Sequence, residues 1–324
     1  MWNKLFQSNH VLEMVVPLLD HRKRVGKLTQ KAVENGGKPG TGEKKALLHR
    51  MTSLIKQKLS KIRLSSMPLS SPVGMDAATD SLQQIMKEAN KSKDKEFLSC
   101  CSSSLIFLLR MMPSSPEVIS LASAEYGNVV TEWSTKRNSG ASLLDDLISH
   151  MPGLAQASIF GALTRATQDA RSPFLKMEAF RLLSLLFANK PNAEGSSDTE
   201  KMAQAKIHES QDDLLIAINK TLKDEEMVKP KRARVVLKAF EKMLPFISSP
   251  VSPEALDLLA SIKIEINGLG GKHAGLNVIA VKLAEQIDVR REALNTAPAT
   301  PKGDKNKTKP TSSSKKSKKK KKKR

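Results

Sequence analysis

His208, Glu209 and Asp212 stand in the order HESQD, one residue type away from the HExxH pattern, in which two histidines one helical turn apart hold zinc and the glutamate acts as base. Asp212 occupies the place of the second histidine and no third ligand is evident, so a solvated helix face accounts for the three residues equally well. Two glycine-rich stretches invite a phosphate-loop reading and both fail on spacing. From Gly37 the pattern reaches Gly42 but then meets Glu43 where lysine is required, and in GLGGKHAG the third glycine after Gly268 and Gly270 is replaced by His273. A loop with a helix cap is the reading these stretches receive. The adjacent carboxylates Asp145–Asp146, Asp212–Asp213 and Glu225–Glu226 raise the question of two-metal phosphoryl chemistry. Neighbours on a helix point about 100° apart, so these pairs do not converge. Cys100 and Cys101 adjoin in an apolar stretch and read as small buried residues of a reduced protein, with no disulfide or metal spacing. No GxSxG nucleophile elbow is present. The expectation is a protein that is not an enzyme and uses no cofactor or metal.

The cations carry more information. The chain has 54 Lys and Arg against 33 Asp and Glu, a formal charge of +21. Residues 302–324 hold 13 basic residues and one acid, so the tail carries +12 and the rest of the chain +9. A polyanionic partner is the first expectation from such a balance. Lys315, Lys316, Lys318, Lys319, Lys320, Lys321, Lys322, Lys323 and Arg324 form a run suited to nuclear and nucleolar targeting and to nonspecific nucleic-acid contact. Lysine is a point charge without the fixed fork that base readout needs, so the tail supplies affinity and not sequence choice. If about 8 of these cations neutralise phosphates, the log–log salt slope is about −6 to −7. KPKRAR offers Lys229, Lys231, Arg232 and Arg234 as a second import signal, placed where a helix should begin and where cations oppose the helix dipole. HRKR at 21–24 is a weaker third cluster. In the segment from Glu43 to Leu64, Lys45, Arg50, Lys56, Lys61 and Arg63 flank an apolar stripe and form a candidate phosphate-facing helix. Aromatic residues make up 4% of the chain, too few for a base-stacking RNA module.

The elements that must position these groups are helical. Leu47, Leu48, Met51, Leu54, Ile55, Leu59 and Ile62 fall on one stripe about 140° wide, and similar stripes recur at Val118 to Trp133 and Leu214 to Leu222. Ser115-Pro116, Ser172-Pro173 and Ser252-Pro253 place a capping hydroxyl before a proline at the first helical position. The spacing predicts helices near 2–16, 18–34, 43–64, 77–92, 94–112, 116–135, 142–151, 153–169, 173–189, 199–225, 231–247, 253–267 and 274–294, with loops near 35–42, 65–76 and 190–198. FLKMEAFRLLSLLF, from Phe174 to Phe187, is apolar on more than one side, as a helix covered by neighbours before and after it would be. The predicted fold is all-α, an irregular armadillo- or HEAT-like helical repeat over 1–295, followed by a disordered Lys-rich tail over 296–324. The longest apolar run, Leu105 to Leu109, falls far short of the ~20 residues that span a bilayer. The N-terminus lacks the uninterrupted apolar core of a secretory signal.

Three stretches in order, SLQQIMKEANKSKDKEFLSCCSSSLIFLLRMM, YGNVVTEWSTKRNSGASLLDDLISHMPGLA and FLKMEAFRLLSLLF, resemble the C-terminal part of the Myb-binding protein 1A and DNA polymerase V (phi) family. The features that match are a Leu-rich helix ending at Arg110, the Glu132-Trp133 pair followed by Lys136-Arg137-Asn138-Ser139, and a Leu-Leu-Asp helix running into a proline. The resemblance covers roughly residues 80–190 and is one of helix order and spacers. It implies a nucleolar helical-repeat coregulator that binds DNA-binding transcription factors and takes part in ribosomal RNA gene transcription and ribosome biogenesis. The long N-terminal helical region and acidic tract of that family have no counterpart here, so the chain reads as a fragment or a truncated form. Partners expected are transcription factors and other nucleolar proteins, DNA or RNA through the basic segments, and import receptors, with no membrane and no small-molecule substrate. The alternative is an RNA-binding ribosome-assembly factor, and a more remote one is DNA polymerase activity.

Overall fold

In all three Ser-Pro starts the serine hydroxyl accepts the hydrogen bond expected of a cap. Ser115 Oγ accepts from the Val118 N–H (3.4 Å), Ser172 Oγ from the Leu175 N–H (3.3 Å) and Ser252 Oγ from the Ala255 N–H (3.0 Å). The computed structural model describes residues 9–36, 40–58, 72–113, 115–136, 140–188, 198–248 and 251–296. About 89% of these residues are helical, in 12 α-helices, and none of them forms a strand. The helices are α1 (Asn9–Glu34), α2 (Thr41–Ser53), α3 (Pro72–Asn90), α4 (Lys95–Met111), α5 (Pro116–Thr135), α6 (Ala141–His150), α7 (Pro152–Asp169), α8 (Pro173–Ala188), α9 (Asp198–Leu222), α10 (Pro230–Met243), α11 (Pro253–Lys272) and α12 (Ala274–Thr296).

Each helix packs on the one that follows it by two. The odd-numbered helices make one layer, from α1 to α11, and the even-numbered ones make the other, from α2 to α12. Successive members pair across the layers as α1 with α2, α3 with α4, and so on to α11 with α12. This is a stack of six helical hairpins, the irregular helical repeat expected from the periodicity. Its core runs between the layers as one continuous cluster from Val15 to Leu294. The position of α8 inside the stack explains its apolar breadth: Ala179, Phe180, Leu182, Leu183, Leu186 and Phe187 are all buried, against α6, α7 and α10.

Polar ties fix the register within and between hairpins. Buried Gln156 donates from Nε2 to the Leu186 carbonyl (2.9 Å), joining α7 to α8. Arg181 of α8 donates to Asp145 of α6 (2.8 Å) and to Glu178 on its own helix, which holds the guanidinium firmly protonated. Gln211 of α9 donates to the Ser248 carbonyl (3.2 Å) and accepts from the Ser248 N–H (3.1 Å), matching both halves of its amide to one backbone unit.

Three differences from the expected elements bear on how the helices join. Helix α1 runs unbroken through Pro17, where two helices meeting near residue 17 were expected. Pro17 lies on the exposed face, where solvent makes up the hydrogen bond that proline cannot give. Helix α3 starts at Pro72, inside the loop expected near 65–76, because a proline is at home in the first turn. Helix α11 continues to Lys272, so Gly268, Gly270 and Gly271 are helical where a loop and cap were expected. A Cβ on Gly270 would stand 2.8 Å from the Ala280 Cβ, so this glycine lets α12 close against α11 and serves packing.

Candidate nucleic-acid and partner interface

The basic groups separate into those the fold uses internally and those it turns outward. In the HRKR cluster, Arg22 is 1% exposed. Its guanidinium donates to Asp94 (2.6 Å), Glu96 (3.4 Å) and Thr52 (3.5 Å) and lies 5.5 Å from the centre of the Phe97 ring. Lys23 pairs with Glu88 and also faces the Phe97 ring at 5.7 Å. Two of the four residues therefore tie α1 to α3 and α4.

KPKRAR is divided by the helix it begins. Lys229 is the N-cap of α10 and pairs with Glu226 (2.7 Å). Arg232 turns back to the same carboxylate (2.8 Å) and to the Glu226 carbonyl (2.8 Å). The hydrogen bond from Lys229, then that from Arg232, hold the exposed Glu226 carboxyl below the usual range. Arg234 donates to the Gly275 carbonyl at the start of α12 (2.9 Å). Cations at a helix N-terminus, unfavourable by the dipole alone, thus have local acceptors. Lys231 is exposed and aligns with a different set: Lys231, Lys238 and Lys242 follow at i, i+7 and i+11, fall within about 40° of one another and form a ridge about 17 Å long. None of the three pairs with a described residue. Linear reading of the cluster missed this ridge, although its spacing was in the sequence.

In the segment from Glu43 the described cations stand on both sides of a buried stripe. Met51 and Ile55 are buried and Leu48 and Leu54 half-buried, but Leu47 is 45% exposed, so the stripe is narrower than expected. Lys45, Arg50 and Lys56 are exposed. Lys45 and Arg50 lie five residues apart and so point about 140° away from each other. The chain then widens into a π-helical turn, Leu54–Lys58. Lys61 and Arg63 lie outside the described residues, as does the tail from Lys315 to Arg324. An open cleft of about 520 Å³ forms where the C-terminal ends of α7 and α9 meet α8 and α11. Lys176, Lys220 and Lys223 line it with Asn219 and Asp224, and since four elements build it no stretch of sequence announced it.

The groups first considered for catalysis have other contacts. His208 Nδ1 lies 3.4 Å from Gln211 Nε2, and Glu209 pairs with Lys206 (2.7 Å). Asp145 is held by Arg181. Among the described residues no three His, Cys, Asp or Glu side chains are grouped to hold a metal ion. Burial pushes the Cys100 and Cys101 thiols up, away from the reactive thiolate. No described helix is long and apolar enough to cross a membrane.

No family model matches this chain, and no curated protein matches it. A solved structure described as "Computational Design of Self-Assembling Cyclic Protein Homooligomers" is 15% identical, with 88% of this chain and 96% of that chain covered and a TM-score of 0.24. No reading of this chain rests on that likeness.

Proposed function

We propose that the protein is a non-catalytic nucleolar scaffold and transcription coregulator, in which the helical stack selects a protein partner and the Lys-rich tail holds the assembly near nucleic acid. The observation that carries this reading is the two-layered stack with its cations divided between internal ties and an outward ridge. Such a stack offers a long, shaped surface for recognition, while a run of lysines contributes charge without geometry. The resemblance of residues 80–190 to the Myb-binding protein 1A and DNA polymerase V (phi) family supplies the nucleolar setting, the transcription-factor partners and the link to ribosomal RNA genes. Replacing Lys318 to Lys323 with serine should disperse a fluorescent fusion from nucleoli, and unchanged localisation would contradict the division of labour.

An RNA-binding ribosome-assembly factor is the second reading, favoured by the exposed Lys45, Arg50 and Lys56 and by the lysine-lined cleft at Lys176, Lys220 and Lys223. Under it the helical body grips folded RNA directly, and RNA crosslinks should map to these lysines.

A further inference from the structure

Helices α10 and α12 lie side by side in one layer, in a register fixed by three ties. Arg234 donates to the Gly275 carbonyl (2.9 Å), Lys282 pairs with Glu241 (2.7 Å), and Arg290 Nε donates to the Ile247 carbonyl (2.8 Å). Each tie joins residues 41 to 43 apart in the chain, so the two helices run parallel and level. On α10 the outward face carries Lys231, Lys238 and Lys242. On α12 the outward face carries Val278, Val281 and Val289, which are 80%, 48% and 68% exposed.

We infer that this surface seats an amphipathic helix of a protein partner, with its acidic edge on the lysine ridge of α10 and its aliphatic edge on the valine row of α12. Both rows are about 17 Å long, about three helical turns. The spacing between packed helix axes, about 8–10 Å, suits a guest helix lying along the seam. The ion pair of Lys282 with Glu241 spans that seam, while Arg234 and Arg290, tied there to backbone carbonyls, keep their positive charge beneath the acidic edge of the guest. Three lysines without a described partner call for anions, whereas three exposed valines gain nothing from a phosphate backbone. A nucleic acid would satisfy the ridge and leave the valines wet. A membrane surface is disfavoured by the chemistry of the row: it has no aromatic anchor, and exposed Glu285 lies between Val281 and Val289. A helix with both edges uses the whole surface.

This inference rests on the scaffold reading for the class of partner and deepens it by naming the partner's chemistry. The test is fluorescence anisotropy with the full chain and a labelled helical peptide bearing glutamates along one edge and leucines along the other. A scrambled peptide of equal composition, an RNA oligonucleotide and phosphatidylserine-containing vesicles serve as parallel probes. Val278→Ser with Val289→Ser should weaken peptide binding about 10-fold, from the aliphatic surface no longer covered. Lys231→Glu with Lys238→Glu and Lys242→Glu should weaken it at least ~10-fold and invert its salt dependence. Glu285→Lys should strengthen it about 2- to 5-fold by removing a like charge. All these side chains are exposed, and circular dichroism checks that the variants stay folded. The inference is overturned if the scrambled peptide binds equally well, if the valine variant binds the peptide unchanged, or if the lysine variant loses RNA or vesicle binding while keeping the peptide. The scaffold reading fails separately, through the tail, if the serine-substituted tail leaves nucleolar localisation intact.

Discussion

Arg22 is the strongest test of how the first hairpins are held. It is buried to 1% exposure, yet its acceptors are wetter: the side chains of Asp94 and Glu96 are 50% and 72% exposed. Replacing Arg22 with methionine keeps most of the aliphatic stem over Phe97 and removes the guanidinium. Breaking a fully buried pair costs about 3–5 kcal/mol because a charge is stranded. Here the carboxylates left behind re-solvate, so the loss reduces to charge-assisted hydrogen bonds of about 1.5–3 kcal/mol, discounted for exposure to about 2 kcal/mol. In a stack whose repeats touch only their neighbours, the damage should stay local. Hydrogen exchange in α1 to α4 should accelerate about 30-fold in Arg22→Met, while α9 to α12 remain unchanged. The effect should also depend on pH. Burial pushes the Asp94 carboxyl up, but the hydrogen bond from Arg22, followed by those from the Phe97 and Glu96 N–H groups, outweighs it and holds the group below its ordinary value. A depressed carboxyl stabilises the fold above its unfolded pKa, about 3.9, and that stability is lost as pH falls through the folded value. The wild-type protein should therefore lose more protection than the variant between about pH 4 and lower pH. A change in α1 to α4 below threefold, or an equal change in α9 to α12, would refute both the local tie and the quasi-one-dimensional stack.

The seam between the last two helices and the buried thiols give two further tests. Gly270→Ala should destabilise α11 and α12 by about 1–3 kcal/mol, because the new methyl meets Ala280 at 2.8 Å. Gly271→Ala faces open space within the same helix and should stabilise it by about 0.5–1 kcal/mol, so opposite shifts in urea midpoints are expected. Native Cys100 and Cys101 should resist an aromatic disulfide reagent at pH 8, reacting only as fast as α4 opens. Burst labelling in native buffer would show that the thiols are not held up by burial.

Much of the architecture was readable because stripes and caps are local. Ser115, Ser172 and Ser252 announced their helices one residue before each began, and the breadth of apolar residues in α8 announced a neighbour on each side. What escaped depended on contacts across the chain. Pro17 reads as a break until the helix is known to turn that residue to solvent. Gly270 reads as a loop residue until Ala280 is placed against it. The carboxylate partners of Arg22 are 72 and 74 residues away, so HRKR looked like a surface cluster when one of its members is buried. KPKRAR looked like one motif, and helical rotation assigned Arg232 to Glu226 and Lys231 to a ridge with Lys238 and Lys242.

The division between a selecting body and a tethering tail is tested most directly by ultraviolet crosslinking to nucleic acid and capture of the acidic helical peptide, both measured before and after removal of residues 302–324. The account predicts that nucleic-acid crosslinks vanish with the tail while peptide capture persists. Crosslinks retained on the helical body, with peptide capture lost along with the lysines of the tail, would contradict it.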